Sequence, residues 1–213
     1  MEQQMKDGAT ALTPLAVVVL GLLRERDMHP YEMMRLIRQR RDDRLVNPTN
    51  GTMYHTVGRL ERAGLIAEVG VDRDGNRPER TTYAITPAGA AAAEVWVRRE
   101  LPCIDRILEF RVALAEAHEL PREEAIDLLT QRRHALARYR AELRTGLEGA
   151  AARGVPFQFL IELEREDAIL VADLAWMDGV LRRLPDPDLP WGVHELPADT
   201  MARLTAYRES VTS

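Results

Sequence analysis

The chain has 213 residues, 46% of them hydrophobic and 30% charged, with a formal net charge of -5. That suffices to bury a core in one large or two small domains; no apolar run reaches the length needed to span a bilayer. The first residues are acidic and Gln-rich rather than basic-then-apolar, so a cytoplasmic location is expected, and the single Cys103 reads as a packed core or interface thiol.

A net negative charge argues against nucleic acid, whose affinity depends on neutralising phosphates. Its distribution argues otherwise: residues 1–100 carry 15 basic against 14 acidic side chains, and the acid excess lies C-terminally. Residues 29–66 hold 7 basic and 4 acidic side chains, including Arg35, Arg38, Arg40, Arg41 and Arg44. This is a modest footprint, which implies binding that depends on salt and on dimerisation.

In chain order, Thr13-Pro14 is a cap followed by Pro at the first helical position. Leu15 to Leu23 is apolar on nearly every side, so this helix must be buried all round, by the N-terminal domain on one side, with a second subunit one candidate cover for the other. Pro30 starts a second helix with Tyr31, Met34 and Ile37 as its inner stripe. After a loop from Asp42 to Pro48 comes a third helix, capped by Thr49 or Asn50 and stopped by Gly64 in the left-handed region. Met53, Val57 and Leu60 recur at i, i+4 and i+7 and face inward. Thr52, His55, Thr56, Arg59 and Arg62 are left outside, either as an ordinary solvated face or as donors for phosphates and base edges.

Leu65 to Val71 suits a strand, Asp72 to Pro78 is turn-rich, and Arg80 to Thr86 returns as a second strand. Together they make a wing with Arg73 and Arg77 near its tip. The acidic residues of that turn do not follow a calcium-loop register. Thr86-Pro87 opens an Ala-rich helix toward Glu100 that Pro102 ends. Trp96 on it is either a core aromatic or one wall of a ligand pocket. Ile104, Ile107, Leu108 and Val112 are expected to face a core in the next segment.

From Pro121 the pattern lengthens. Leu129, Leu136 and Leu143 recur at seven-residue spacing, with Tyr139 and Leu147 extending the seam to a stop at Gly154-Val155-Pro156. Leu160, Leu163, Leu170, Leu174, Met177, Leu181 and Leu184 form the facing seam, which gives an antiparallel hairpin. Asp167 interrupts it, either as a register-setting polar group or as a pocket residue. A Pro-rich stretch with Trp191 follows, then a short helix from about Pro197 to Tyr207. Whether Trp191 docks this tail or leaves it mobile is open at this level.

The N-terminal third resembles the PadR family of winged-helix transcriptional regulators. The resemblance rests on Leu20-Gly21-Leu22-Leu23, His29-Pro30-Tyr31-Glu32-Met33, Gly51-Thr52-Met53-Tyr54, Arg59-Leu60-Glu61-Arg62-Ala63-Gly64-Leu65-Ile66, Arg77-Pro78 and Tyr83-Ala84-Ile85-Thr86-Pro87-Ala88-Gly89, in order and at the right spacing. The C-terminal helical pair matches the longer branch of that family. The chain departs at Pro30, where Gly is usual, at His55, where Pro is frequent, and at Gly58, where a basic residue is common.

The expected fold is therefore mainly α, with an N-terminal winged helix-turn-helix carrying a two-stranded wing and a C-terminal antiparallel helical hairpin for dimerisation. The expected divisions are residues 1–100 for DNA binding, 101–184 for dimerisation and 185–213 for the tail. The resemblance implies a homodimeric repressor that reads an inverted repeat in double-stranded DNA and is released by a small apolar or aromatic effector. Asn50, Thr52, His55 and Arg59 are the candidates for base contact, and Tyr54, Arg62, Arg73 and Arg77 for phosphate. Trp96, Trp176 and Met177 are the candidate effector pocket. The alternative is a protein-interaction scaffold in which the helical arm recruits a partner. No nucleotide-cradling loop, metal-ligand pair or nucleophile elbow occurs, so neither cofactor, metal nor catalysis is expected.

Overall fold

The computed structural model describes residues 12–72 and 80–212. Helix α1 (Pro14–Glu25) begins where Thr13 Oγ1 accepts the Ala16 amide. Helix α2 (Pro30–Gln39) is capped by His29, whose Nδ1 accepts the Tyr31 amide while Glu32 accepts the His29 amide. A single 3-10 turn (Asp42–Arg44), entered through Arg41 at φ +60, leads to α3 (Asn50–Arg62). Strands β1 (Ile66–Asp72) and β2 (Arg80–Ile85) form an antiparallel pair, with a bulge between Glu68 and Gly70. Met28 adds one rung to it, because its N–H and C=O exchange hydrogen bonds with Tyr83 at 3.0 and 3.1 Å.

Helix α4 (Pro87–Glu100) starts at the Thr86 cap, and after a turn α5 (Ile107–Ala115) follows. The long pair α6 (Arg122–Ala152) and α7 (Ile161–Arg183) packs as an antiparallel hairpin, and α8 (Ala198–Thr212) closes the described chain. At 31 residues α6 spans about 46 Å. Gly154 at φ +74 ends it, with the Val155 amide bonded to Ala150 O and the Gly154 amide to Ala151 O.

Burial along α1 is continuous from Ala16 to Leu20, and this chain's own α3, β2, α4 and α5 supply it. The inner stripe of α2 differs from the expected one. Tyr31 is 54% exposed, and the buried set is Pro30, Met33, Met34 and Ile37 at i, i+3, i+4 and i+7, joined by Leu36. Tyr31 stands about 100° round the helix from Pro30, off that stripe. In α5, Ile107 and Leu108 are exposed, at 70% and 44%, against expectation. The helix begins only at Ile107, so its inner face falls on Val112 and Ala113, and Ile104 packs on the core from the preceding turn.

The leucines of the hairpin seam follow the spacing, with Leu129, Leu136, Leu160, Leu170, Met177 and Leu184 buried and Leu143 and Leu174 packed beside them, but Tyr139, expected to extend the seam, is exposed at its edge. Polar cross-links flank it, Arg133 to Asp178 at 3.0 Å, Tyr139 to Glu166 at 2.7 Å and Arg140 to Asp167 at 2.7 Å. Asp167 is thus an inter-helix clamp, with Arg144 also 3.9 Å away. The tail is docked. Trp191 Nε1 donates to Leu120 O at 2.7 Å, and Arg122 donates to the carbonyls of Leu184, Asp186 and Leu189 and to Glu195.

Candidate nucleic-acid interface

Helix α3 is presented by local chemistry at both ends. At the start, Thr49 Oγ1 accepts the Thr52 amide while Thr52 Oγ1 accepts the Thr49 amide, a reciprocal capping pair. At the end, the Gly64 amide bonds Glu61 O and the Leu65 amide bonds Leu60 O, the two-bond stop that needs φ near +69 at Gly64. Thr86 then fastens the wing's foot, its hydroxyl donating to Gly64 O and its amide to Leu65 O.

Met53, Val57 and Leu60 are buried, as their spacing predicts. Thr56 is buried with them rather than outside, because it lies one turn from Met53 and Leu60 on the edge of the same stripe. The outward face carries Asn50, Thr52, Tyr54, His55 and Arg62, all exposed, and Arg59, half-exposed. The Thr52 hydroxyl is taken up in the cap, which leaves its methyl group as the free contact surface. Arg62 Nε donates to Gly58 O at 2.9 Å, so this guanidinium lies back along its own helix. Tyr54 meets His29 edge-on with ring centroids 6.3 Å apart, which ties the start of α2 to the exposed face of α3. Arg73 and Arg77 lie outside the described residues.

Of the arginines before α3, Arg38, Arg41 and Arg44 are exposed, whereas Arg40 makes a two-pronged ion pair with Glu25 at 2.6 and 2.8 Å. Neutral amides, hydroxyl methyls and guanidinium groups on one convex helix face suit base edges and phosphates. Among the described residues no cluster of His, Cys, Asp and Glu fits a metal ion, and no helix is long and apolar enough to cross a membrane.

Residues 19–95 match the family model described as the transcriptional regulator PadR-like family. Over that span the chain is similar to the PadR-like family. The match begins in α1 and ends in α4, and so covers the first three helices, the two strands and the Thr86 cap. Solved structures similar to this chain include Bacillus subtilis PadR in complex with operator DNA, at 20% identity over 80% of this chain and 98% of that one, TM-score 0.39. Bacillus subtilis PadR in complex with p-coumaric acid is similar at 19% identity over 82% and 100%, TM-score 0.35. The PadR-like regulator BC1756 from Bacillus cereus is similar at 20% identity over 80% and 98%, TM-score 0.35. No curated protein matches the chain in sequence.

The three residues expected to form an effector pocket are not brought together. Trp96 is 1% exposed and donates its indole N–H to Leu12 O at 3.0 Å, a core aromatic that closes α1 onto α4. Met177, buried in the hairpin seam, and the exposed Trp176 share one small cleft with Leu129, Val180 and Leu181, away from Trp96. What the sequence reading missed is a cavity elsewhere, beside Glu116, His118 and Glu119. These three titratable side chains fall within four residues, but nothing local joins them to α1.

Proposed function

We propose that this protein is a homodimeric, sequence-specific DNA-binding transcriptional repressor, released by a small-molecule effector. The observation that carries the reading is the outward face of α3, doubly capped, backed by a buried apolar stripe and free of carboxylates from Asn50 to Arg59 within a PadR-like domain. In this reading Asn50, His55 and Arg59 contact bases, Thr52 offers its methyl group to a thymine, and Tyr54, Arg62, Arg73 and Arg77 take phosphates. Residues 1–100 read DNA, 101–184 pair two copies, and 185–213 brace the start of α6. Pairing is supported by the apolar side chains that the hairpin leaves outside: Phe157, Phe159, Ile161, Ile169, Val171 and Trp176. Two-fold pairing of the reading helices implies an inverted repeat with half-sites one or two helical turns apart. The protein acts by binding and needs no catalysis.

Fluorescence anisotropy against DNA from upstream of its own gene, beside a shuffled duplex and at two salt concentrations, tests this. Preference for the first, with a steep salt slope, is expected. Arg59→Ala should lower affinity roughly 5- to 150-fold and relax specificity at one position. Equal weak binding of both duplexes, unaltered by Arg59→Ala, would contradict it and turn attention to a role in partner recruitment.

A further inference from the structure

A recess of about 440 Å³, separate from the cavity beside Glu116, lies between the segment entering α5 and one side of the α6–α7 hairpin. Its size is that of a small-molecule site. Its wall is mainly apolar, from Ile104, Leu136, Ile169 and Leu170, with Ile107 standing 70% exposed beside it. The charged side chains around it are Arg132 and Arg165 against Asp105, Glu162, Glu166 and Asp173. Asp105, Glu162, Arg165 and Asp173 are exposed, so water screens them, and Glu166 accepts from the Tyr139 hydroxyl at 2.7 Å.

Arg132 is the exception, at 3% exposed. The buried positions of α6 are Ala125, Leu129, Arg132 and Leu136, at steps of four, three and four, so the arginine occupies a place that the seam reserves for an apolar side chain. One face of its guanidinium rests on the Phe110 ring, 3.4 Å from the centroid. Nε and Nη1 are nevertheless buried without an acceptor among the described residues. A buried donor left unpaired is costly, and the great majority of such groups in folded chains have a partner. Desolvation pulls the Arg132 pKa down, against the through-space pull of Asp173, Cys103 and Asp105. Its charge is thus answered at a distance, and what it lacks is an acceptor within bonding reach. Carboxylates already outnumber guanidinium groups around the recess, which disfavours a further anion and leaves a neutral acceptor favoured.

We propose that this recess binds a small apolar molecule through a neutral carbonyl group, which accepts from Arg132 while the hydrocarbon body packs on Leu136, Ile169 and Leu170. The ligand completes the hydrogen bonding of a side chain that the seam would otherwise exclude. As the place where an effector acts, the recess rests on the function proposed above; as a binding site it does not. All its lining residues fall between 104 and 173, outside the DNA-reading part, so failure of this site leaves the reading of α3 intact. Ile169 is also offered to a second copy, which makes a partner's side chain the competing occupant.

The test is isothermal titration of the full chain, without DNA, with three probes that share one hydrocarbon. These are 4-phenylbutanamide, whose carbonyl accepts, 4-phenylbutyrate, an anion, and 4-phenylbutylamine, a cation that only donates. One amide per chain is expected, with the anion and the amine each at least ~10-fold weaker. Arg132→Met should weaken the amide by at least ~10-fold while melting no lower than wild type. Amine or anion binding as tight as the amide, equal amide binding by Arg132→Met, or no amide binding at millimolar concentration would overturn the proposal. In the last case a dimer weakened by Arg132→Met, read by sedimentation at falling concentration, would assign the acceptor to a second copy. Because the three probes are compared on the wild-type chain, the outcome does not hang on how the variant folds.

Discussion

Replacing Gly89 by Ala should destabilise the protein, while the same change at Gly58 should stabilise it, although both glycines lie inside helices. Helix propensity alone favours Ala by about 1 kcal/mol at either site. At Gly58 nothing lies within 4 Å of the added Cβ, so that gain is realised. At Gly89 the added carbon would fall on the Leu65 carbonyl, 2.9 Å from its carbon and 3.1 Å from Ile85 Cγ1. The carbonyl oxygen lies closer still, and since non-bonded heavy atoms prefer about 3.5 Å, α4 would have to retreat by roughly 1 Å or more. Leu65 cannot yield instead. It is fixed by the left-handed Gly64 before it, by Ile66 paired with Ile85 after it, and by the Thr86 amide bonded to its oxygen at 3.1 Å. Overpacking costs about 1–3 kcal/mol and a weakened hydrogen bond about 1, which outweighs propensity and leaves a net loss of ~1–3 kcal/mol. For a chain of this size each kcal/mol moves Tm by about 2–4 °C. Thermal and urea melts at one fixed protomer concentration should therefore place Gly89→Ala several degrees below wild type and Gly58→Ala about 2–4 °C above it. A Gly89→Ala variant as stable as wild type, or a destabilised Gly58→Ala, would refute the steric reasoning.

Three further outcomes are expected. Glu116, held at about 7 against the usual 4.5, is protonated in both states at low pH; as pH rises through that window the unfolded chain loses its proton first, so stability falls. Glu116→Gln should thus match wild type near pH 5 and exceed it above neutrality by on the order of 2–3 kcal/mol, checked by urea melts across pH; a constant difference would contradict this. Arg132 is 3% exposed, lies 3.4 Å over the Phe110 ring, and leaves Nε and one terminal nitrogen without an acceptor; desolvation draws it down to about 10. Arg132→Met should leave Tm unchanged or raise it, and a drop worth more than ~1 kcal/mol would reveal an acceptor supplied by a second copy. Asp167→Ala leaves Arg140 and Arg144 without their shared partner and should cost ~1 kcal/mol in thermal melts, with no loss if the clamp is fully screened by water.

The parts of the fold legible in the sequence are those decided within a few residues. Thr13, Thr49 and Thr86 each cap the helix they precede, and Gly64 and Gly154 each stop one, because caps and stops are satisfied by the nearest amides and carbonyls. The leucine seam was legible because α6 and α7 are long enough for a period to show. Inner faces of short helices were harder. Tyr31 and Met33 are both apolar enough to point inward, and Ile107 reads as core until one knows that α5 begins there. At the candidate interface the exposed side chains of α3 follow from its stripe, but Thr56 at the stripe's edge and the hydroxyl consumed by the cap do not. The cavity was out of reach, since Gly21 and Glu116 meet only through tertiary packing, across most of the first half of the chain.

The single rung between Met28 and Tyr83 makes the wing and the cavity neighbours along the chain. Glu25, which borders the cavity, precedes Met28 by three residues, a reach of about 10 Å at full extension. That short strap cannot lengthen to absorb a shift of the C-terminal end of α1. Any rearrangement there must either break the rung or swing β2 with it, so the pitch of the wing and the shape of the cavity are two readings of one mechanical coordinate.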